Sequence, residues 1–335
     1  MTMSAVRAQT DGAGPSHRVL AQAAEWYALL QSGDATDADR LRWRAWLDEA
    51  AEHAQAWRHV EDISQAFQGL QAAPDPRGAA QGLWEVDART RQRRRALGGL
   101  AAVAASCALG WTAWQDGRPR RLLLANWADH RTGIGETREI LLSDGTRVWL
   151  NTGSAFNQVY DARQRLLQLV AGEMLIETAP EARRPFVAET PHGSMQALGT
   201  RYTVWLDGDE TLLAVYEGAV RVRNRAGDSV QIEAGRQLRY GAHSLGETLP
   251  ADAAREAWRR QVLIAQDISL AEVVAQLGRY RRGHLGVAPE VADLRVFGSF
   301  PLQDTDEVLD MLAKALPLRI QRTLPWWVTI EPAGS

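Results

Sequence analysis

A run of residues without a charged side chain, Ala96–Trp114, divides this chain of 335 residues into two unlike halves. At about 1.5 Å per residue, a helix over this run is roughly 28 Å long, which is close to the hydrocarbon thickness of a bilayer. A soluble helix of this length normally carries a polar stripe, and this run has none. The run therefore predicts a single transmembrane helix at residues 96–114, with a buried core helix as the alternative.

The charges beside this run predict its orientation. A block of five arginines directly precedes it, whereas Asp116 and three arginines follow at a greater distance. The positive-inside rule then puts residues 1–95 in the cytoplasm and residues 115–335 outside. The start of the chain lacks the apolar segment of a cleaved signal peptide, so we expect the run to act as an uncleaved signal-anchor.

The cytoplasmic half, residues 1–88, is predicted to be a small all-α bundle followed by a linker rich in proline and glycine at residues 69–88. Apolar residues at helical spacing predict three helices between residues 18 and 68, and Thr36 is the expected N-cap of the second. Nine acidic residues against five arginines make this region acidic. This charge suits a basic partner and disfavours direct nucleic-acid binding, although a merely solvated acidic face remains an alternative.

Four tryptophans in this short region are the candidate contact residues, because three short helices cannot easily bury them all. The alternative for each is a place in the helical core. The four are Trp26, Trp43, Trp46 and Trp57.

The outer half begins with a region of β character. Alternating strands and glycine turns from residue 133 to 240 predict an all-β domain at residues 125–245, built as a sandwich, a barrel or a β-solenoid. Residues 258–332 predict an α+β domain instead. Ser269 and Glu272 form a capping box, and a helix-strand pattern recurs further along the chain, as expected for two β-α-β units with a closing strand near Trp326.

No pattern in the chain predicts an enzyme site. The seven histidines do not cluster, the only cysteine lies inside the apolar run, and no spacing fits a zinc site. A Gly-x-Ser-x-Gly elbow is also missing. We therefore expect neither turnover catalysis nor a bound metal or cofactor.

The outer β segment resembles the FecR family of bacterial transmembrane anti-sigma regulators. The order and spacing of six short motifs carry the resemblance: Gly135-Glu136, residues 142–151 (LSDGTRVWLN), Gly172-Glu173, Pro185-Phe186-Val187, Leu198-Gly199-Thr200 and Glu217-Gly218-Ala219-Val220. The N-terminal helical region looks like the sigma-binding domain of this family, and the C-terminal repeat resembles the small STN-like signalling modules of secretins and TonB-dependent receptors.

The resemblance implies a single-pass protein of the bacterial inner membrane, with its N-terminus in the cytoplasm and its C-terminus in the periplasm. The implied partners are an extracytoplasmic-function (ECF) sigma factor inside, the N-terminal signalling domain of a TonB-dependent siderophore receptor outside, and the envelope and intramembrane proteases that free the cytoplasmic domain. Two other classes stay open: a membrane-anchored receptor for a small periplasmic ligand, and a secretin-like envelope assembly protein.

Two further sites follow for the outer half. Trp326 and Trp327 are adjacent, so on a strand they face opposite sides, and one of them is expected at the receptor contact unless a second packed layer covers both. The resemblance also implies a single self-cleavage between Gly199 and Thr200, in which the Thr200 hydroxyl attacks the Gly199 carbonyl. The alternative is that these two residues only shape a turn.

Overall fold

The computed structural model describes residues 15–32, 35–71, 128–181 and 183–333, and the predicted membrane span at 96–114 lies outside these ranges. No helix within them is both long and apolar enough to cross a membrane. The described residues form two compact units. One combines the N-terminal helices with residues 267–296 and the chain from residue 305 onward, and the other holds the β strands up to residue 266 together with residues 297–304.

Three helices form the N-terminal region: α1 at His17–Gln31, α2 at Asp37–Glu49 and α3 at Ala51–Gln71. The predicted N-cap at Thr36 is confirmed as a capping box, since its hydroxyl accepts the Asp39 amide and the Asp39 carboxylate accepts the Thr36 amide. The hydrogen bond from the Thr36 hydroxyl is the largest of the effects that lower the pKa of Asp39. Helices α1 and α3 pack through small side chains, and Ala23, Ala24 and Ala56 are fully buried.

The β domain is a sandwich in which one long strand belongs to both faces. Strand β5, Arg165–Glu177, pairs with β4 and β6 along its first half and with β3 and β8 along its second half. It changes face at Gly172, where φ is +74° and an added Cβ would lie 2.1 Å from the Ser154 hydroxyl oxygen. Only glycine fits there. The other strands are β1 (His130–Arg131), β2 (Arg138–Leu141), β3 (Arg147–Leu150), β4 (Ala155–Tyr160), β6 (Phe186–Thr190), β7 (Gly193–Ala197), β8 (Arg201–Asp207), β9 (Glu210–Glu217), β10 (Ala219–Asn224), β11 (Ser229–Glu233), β12 (Arg236–Tyr240) and β13 (Leu245–Pro250).

The main path of this sheet runs β11-β10-β7-β6-β5-β8-β9-β12-β13. Strands such as β6 and β7 alternate strictly between buried and half-buried residues, which is the period of a strand with one face on a core. Side chains from both faces meet in one apolar cluster that includes Phe156, Leu167, Met174 and Tyr202.

A 3₁₀ helix at Ala253–Arg260 packs on the outer face of the β8 side of the sandwich. Arg255 lies 4.8 Å above the ring of Trp205, and Glu256 pairs with Arg201 at 3.2 Å. The burial of Glu256 raises the pKa of its carboxyl, although Arg201 opposes this shift. This helix therefore fixes the beginning of β8 through the residue that follows Thr200.

The C-terminal region has the predicted alternation of strands and helices. It contains β14 (Val262–Ser269), α4 (Leu270–Gly278), β15 (His284–Val287), α5 (Pro289–Ala292), β16 (Arg295–Pro301), α6 (Thr305–Ala315), β17 (Leu318–Leu324) and β18 (Trp327–Pro332). The capping box of Ser269 and Glu272 is present at the start of α4. Strand β14 pairs with β16, while β18 lies between β15 and β17 in a second small sheet.

In the first unit, the N-terminal helices and the C-terminal strands share a core. The ring of Tyr27 on α1 lies 5.8 Å from that of Trp326, at an edge-to-face angle of 72°. Trp326 and Trp327 belong to the same apolar cluster as Trp46 and Val60. Rings from the N-terminal helices and from the C-terminal strands are therefore packed in one cluster within this unit.

Candidate functional site

The aromatic side chains of the N-terminal helices form a connected group around Trp57. The ring of Trp57 lies 4.9 Å from that of Trp43 and 5.7 Å from that of Tyr27. Trp43 and Trp57, like Trp26, are half-buried. Trp46 differs, because it is only 6% exposed and stacks on His53 at 4.5 Å. The structure thus places Trp46 in the core and leaves the other three partly open to a partner.

Trp26 lines a groove between α1 and α2 with a volume of about 250 Å³. Leu29 forms its apolar wall, and Gln22, Glu25 and Arg42 form its polar rim. The indole N–H groups of Trp26 and Trp43 have no hydrogen-bond partner within the described residues. The indole N–H of Trp46 is likewise buried without a partner within the described residues, so this feature does not separate the half-buried tryptophans from the core one.

The N-terminal helices carry more carboxylates than arginines, and one of these carboxylates, that of Glu25, lines the groove of Trp26. On α2, the exposed Asp37 pairs with Arg40 and the buried Asp39 pairs with Arg42. Among the described residues, no ion pair is made by the carboxylates of Glu25, Asp48, Glu61 and Asp62 or by the arginines Arg18, Arg44 and Arg58. With nine acidic residues against five arginines, the helices carry a net negative charge, which is complementary to a basic protein.

A second candidate site is the turn that joins β7 to β8. Gly199 is exposed and has φ of +79°, which is the left-handed region that glycine adopts without strain. Its carbonyl oxygen lies against Gly218, where an added Cβ would come within 2.2 Å of that oxygen. The two glycines, which belong to separate sequence motifs, are thus in direct backbone contact.

Thr200 is held by its backbone but not by its hydroxyl. Its N–H donates to the Thr178 hydroxyl at 2.9 Å, and its carbonyl accepts from the Thr178 amide at 3.0 Å. The side chain is 4% exposed, and Oγ1 has no hydrogen-bond partner within the described residues. The nucleophile of the expected self-cleavage therefore belongs to the residue directly after the Gly199 carbonyl, and no described residue competes for its hydroxyl through a hydrogen bond.

Sequence reasoning missed Thr178, because no local motif marks it. It follows the last residue of β5, and only the pairing of Glu177 with Arg201 brings it to the turn. The register between β5 and β8 depends on tertiary packing between segments that are distant in the chain. A single sequence does not show which strands pair, so it does not reveal this contact.

The third candidate site, Trp326 and Trp327, is buried. Trp327 is fully buried and stacks on His284 at 3.9 Å, while Trp326 is 6% exposed and packs against Tyr27. Strand β18 begins at Trp327, so Trp326 lies in the preceding turn and the alternation of strand faces does not apply to it. The sequence left two alternatives, one ring exposed at the receptor contact or a second packed layer over both rings. The burial of both rings agrees with the second alternative.

Comparison with known proteins adds two family matches. Residues 128–221 match the family described as FecR protein, which covers the strands from β1 to the beginning of β10. Residues 21–63 match a domain of unknown function, DUF4880, which covers most of the three N-terminal helices. None of the curated proteins compared matches the chain.

Two crystal structures share the fold over much of the chain. Both are of a candidate anti-sigma factor from Parabacteroides distasonis, at 2.50 Å and 1.65 Å resolution. Each is 19% identical to this chain and covers 61% of it, with TM-scores of 0.51 and 0.52 and with 98% and 99% of their own chains covered. At this level of identity the similarity concerns the fold.

Proposed function

We propose that this chain, which is a FecR-type anti-sigma factor, is a single-pass inner-membrane regulator that binds an ECF sigma factor through its N-terminal helices. The observation that carries the proposal is the combination of two matched regions, the helices at 21–63 and the β domain at 128–221, on either side of an uncharged run flanked by arginines. Such a chain has one domain to hold the sigma factor and another to sense a signal across the membrane.

The acidic aromatic surface supports the choice of partner. The DNA-reading region of a sigma factor is basic because it binds phosphates, so the net negative charge of helices that also carry half-buried indole rings is complementary to it. Aromatic residues of this type supply the energetic centre of many interfaces. We assign Trp26, Trp43 and Trp57 to this contact and Trp46 to the core that supports it.

The expected test is a pull-down with residues 1–88. We expect a sigma factor in the eluate, and we expect Trp43→Ala to weaken its binding by about 2 kcal/mol or more, which is roughly 30-fold in Kd. Trp46→Ala serves as the contrast, because the loss of a core ring should unfold the helices and remove the circular dichroism signal. Normal binding by folded variants at Trp26, Trp43 and Trp57 would place the interface elsewhere, and an eluate without any sigma factor would favour an envelope receptor or assembly protein.

The periplasmic part of the proposal is a relay. The β domain and the C-terminal strands would receive the signalling domain of a TonB-dependent siderophore receptor, with the β domain split once at Gly199–Thr200 and proteases later releasing the cytoplasmic helices. In a chain whose helices lie across the membrane, Trp326 would lose the cover of Tyr27 and Trp327 that of His59, while Trp327 would keep its stacking on His284. We assign Trp326, the more exposed of the two, to the receptor contact.

Reporter fusions test the topology. We expect a fusion after residue 88 to report cytoplasm and a fusion after residue 125 to report periplasm, because the arginines at 89–95 resist translocation. In that case Tyr27 and Trp326 do not meet within one chain in the membrane. Two fusions that report the same side would overturn the single-pass arrangement and would agree with the shared core of the helices and the C-terminal strands.

A further inference from the structure

We propose that Thr178 is a positioning residue for cleavage of the Gly199–Thr200 bond, in which its hydroxyl holds the nitrogen that leaves. The inference rests on the proposed self-cleavage and adds a residue that no sequence motif marks. Thr178 Oγ1 accepts the N–H of Thr200 at 2.9 Å, and this N–H belongs to the peptide bond to be broken. The Thr178 hydroxyl lies 3.2 Å from the Thr200 carbonyl oxygen, to which it donates, so its oxygen lone pairs remain available to the nitrogen.

The chemistry explains why an acceptor at this position favours reaction. The Thr200 Oγ1–C bond to the Gly199 carbonyl carbon forms, the Gly199 C–N bond breaks, and the proton of the hydroxyl ends on the nitrogen. Water then hydrolyses the ester to a Gly199 carboxylate and a free Thr200 hydroxyl. The hydroxyl proton makes the nitrogen a neutral amine, and the proton released when the ester is hydrolysed to a carboxylate makes it an ammonium. A hydrogen bond from a charged donor is about twice as strong as one from a neutral donor, so Thr178 stabilises the product nitrogen more than the starting amide.

The two sides of the bond are fixed by different strands. On the acyl side, the Leu198 amide donates to the Ala219 carbonyl at 3.1 Å, and Gly218 contacts the Gly199 oxygen. On the amine side, Thr178 binds both the N–H and the carbonyl of Thr200. With both halves of the peptide held, the Thr200 hydroxyl is the group in this turn that lacks a partner within the described residues.

A structural role for Thr178 is distinguishable from this one. Thr178→Val keeps the shape of the side chain and removes the hydroxyl, whereas Thr178→Ser keeps the hydroxyl and removes a methyl group. If the side chain only filled space at the end of β5, the serine variant would be the worse of the two. If the hydroxyl positions the nitrogen, the valine variant is the worse.

The experiment uses the full chain with a tag at each end, and follows the cleaved fraction with time on denaturing gels. We expect Thr178→Val to slow cleavage at least tenfold, since it removes one charge-assisted hydrogen bond. Thr178→Ser keeps this hydrogen bond and should remain within about threefold of the wild-type rate. Thr248→Val, on β13, is the matched control and should cleave normally. Hydroxylamine, which attacks esters, should accelerate cleavage of the wild type but leave Thr178→Val slow, because the valine variant is impaired before the ester forms.

Each outcome decides the inference. Equal cleavage of the valine variant and the wild type would remove Thr178 from the reaction while leaving self-cleavage intact, and so would equal slowing by serine and valine. An uncleaved wild-type chain would overturn the self-cleavage itself, and the role of Thr178 with it. Thermal unfolding of the same variants in the Thr200→Ala background keeps folding defects apart from slow chemistry.

Discussion

Replacing Thr200 with alanine is expected to leave one full-length band on a denaturing gel where the wild-type chain gives two fragments. The alanine variant lacks the only nucleophile that lies next to the Gly199 carbonyl without a competing hydrogen bond in the described part of this turn. N-terminal sequencing of the shorter wild-type product should begin at Thr200-Arg201-Tyr202. Thr200→Ser keeps a hydroxyl at the same position and should still cleave.

The two fragments should elute together before denaturation. Cleavage after Gly199 would leave β8 paired between β5 and β9, and β7 paired with β10, so strands of one fragment are hydrogen-bonded to strands of the other at two places. A single wild-type band, equal cleavage of the alanine variant, or fragments that separate without denaturant would contradict this account. Thr203→Ser, further along β8, controls for a threonine substitution that leaves the turn intact.

The secondary structure was largely predictable because its signals are local. Thr36 and Ser269 each start a helix through a capping box that can be recognised within a single turn of sequence. Alternation over residues 147–150 and 219–223 likewise predicts β3 and β10, each within one residue of its observed end. Phe186–Thr190 and Gly193–Ala197 are harder to predict as strands, because short runs with Thr, Ser and Gly give a weak pattern until neighbouring strands are known.

The site was less predictable because its contacts are distant in sequence. Four tryptophans look alike in the sequence, yet only Trp46 is drawn into the core by stacking on His53. Gly199 and Gly218 were both recognisable motif residues, but their contact depends on the pairing of β7 with β10. Asp144 belongs to the motif at residues 142–151, and nothing near it in sequence predicts the distant arginine that binds it.

Asp144 and Arg165 form a buried ion pair within the β domain. The Arg165 guanidinium donates to the Asp144 carboxylate at 2.8 Å, and the two side chains are 3% and 2% exposed, respectively. The guanidinium also donates to the carbonyls of Ala179 and Arg184, and Tyr160 donates to the other Asp144 oxygen at 3.3 Å. The network thus joins the β2–β3 turn, β4, β5 and the loop that precedes β6.

We expect Arg165→Met to destabilise the β domain by about 3–5 kcal/mol, because it leaves a buried carboxylate without its counter-charge. Arg138→Met is the matched control, since the ion pair of Arg138 with Glu136 is about half exposed and its loss should cost less than about 1 kcal/mol. Denaturant unfolding followed by tryptophan fluorescence measures both values. Equal decreases in the free energy of unfolding for the two variants would show that the buried Asp144–Arg165 pair stabilises the domain no more than the exposed pair does.

The pH dependence of stability provides a second readout of the same pair. Burial raises the pKa of Asp144, but the hydrogen bonds from Thr146 and Arg165 and the charge of Arg165 outweigh burial and hold this pKa below its usual range. A carboxyl with a lowered pKa in the folded state stabilises the fold above its unfolded pKa of about 3.9, and this contribution is lost as the pH falls through the folded-state value. We therefore expect the free energy of unfolding to decrease below about pH 5 in the wild type. Asp144→Asn, which cannot titrate, should be less stable at pH 7 and should show a smaller decrease with acid, and a decrease as steep as that of the wild type would assign the acid sensitivity to other carboxylates.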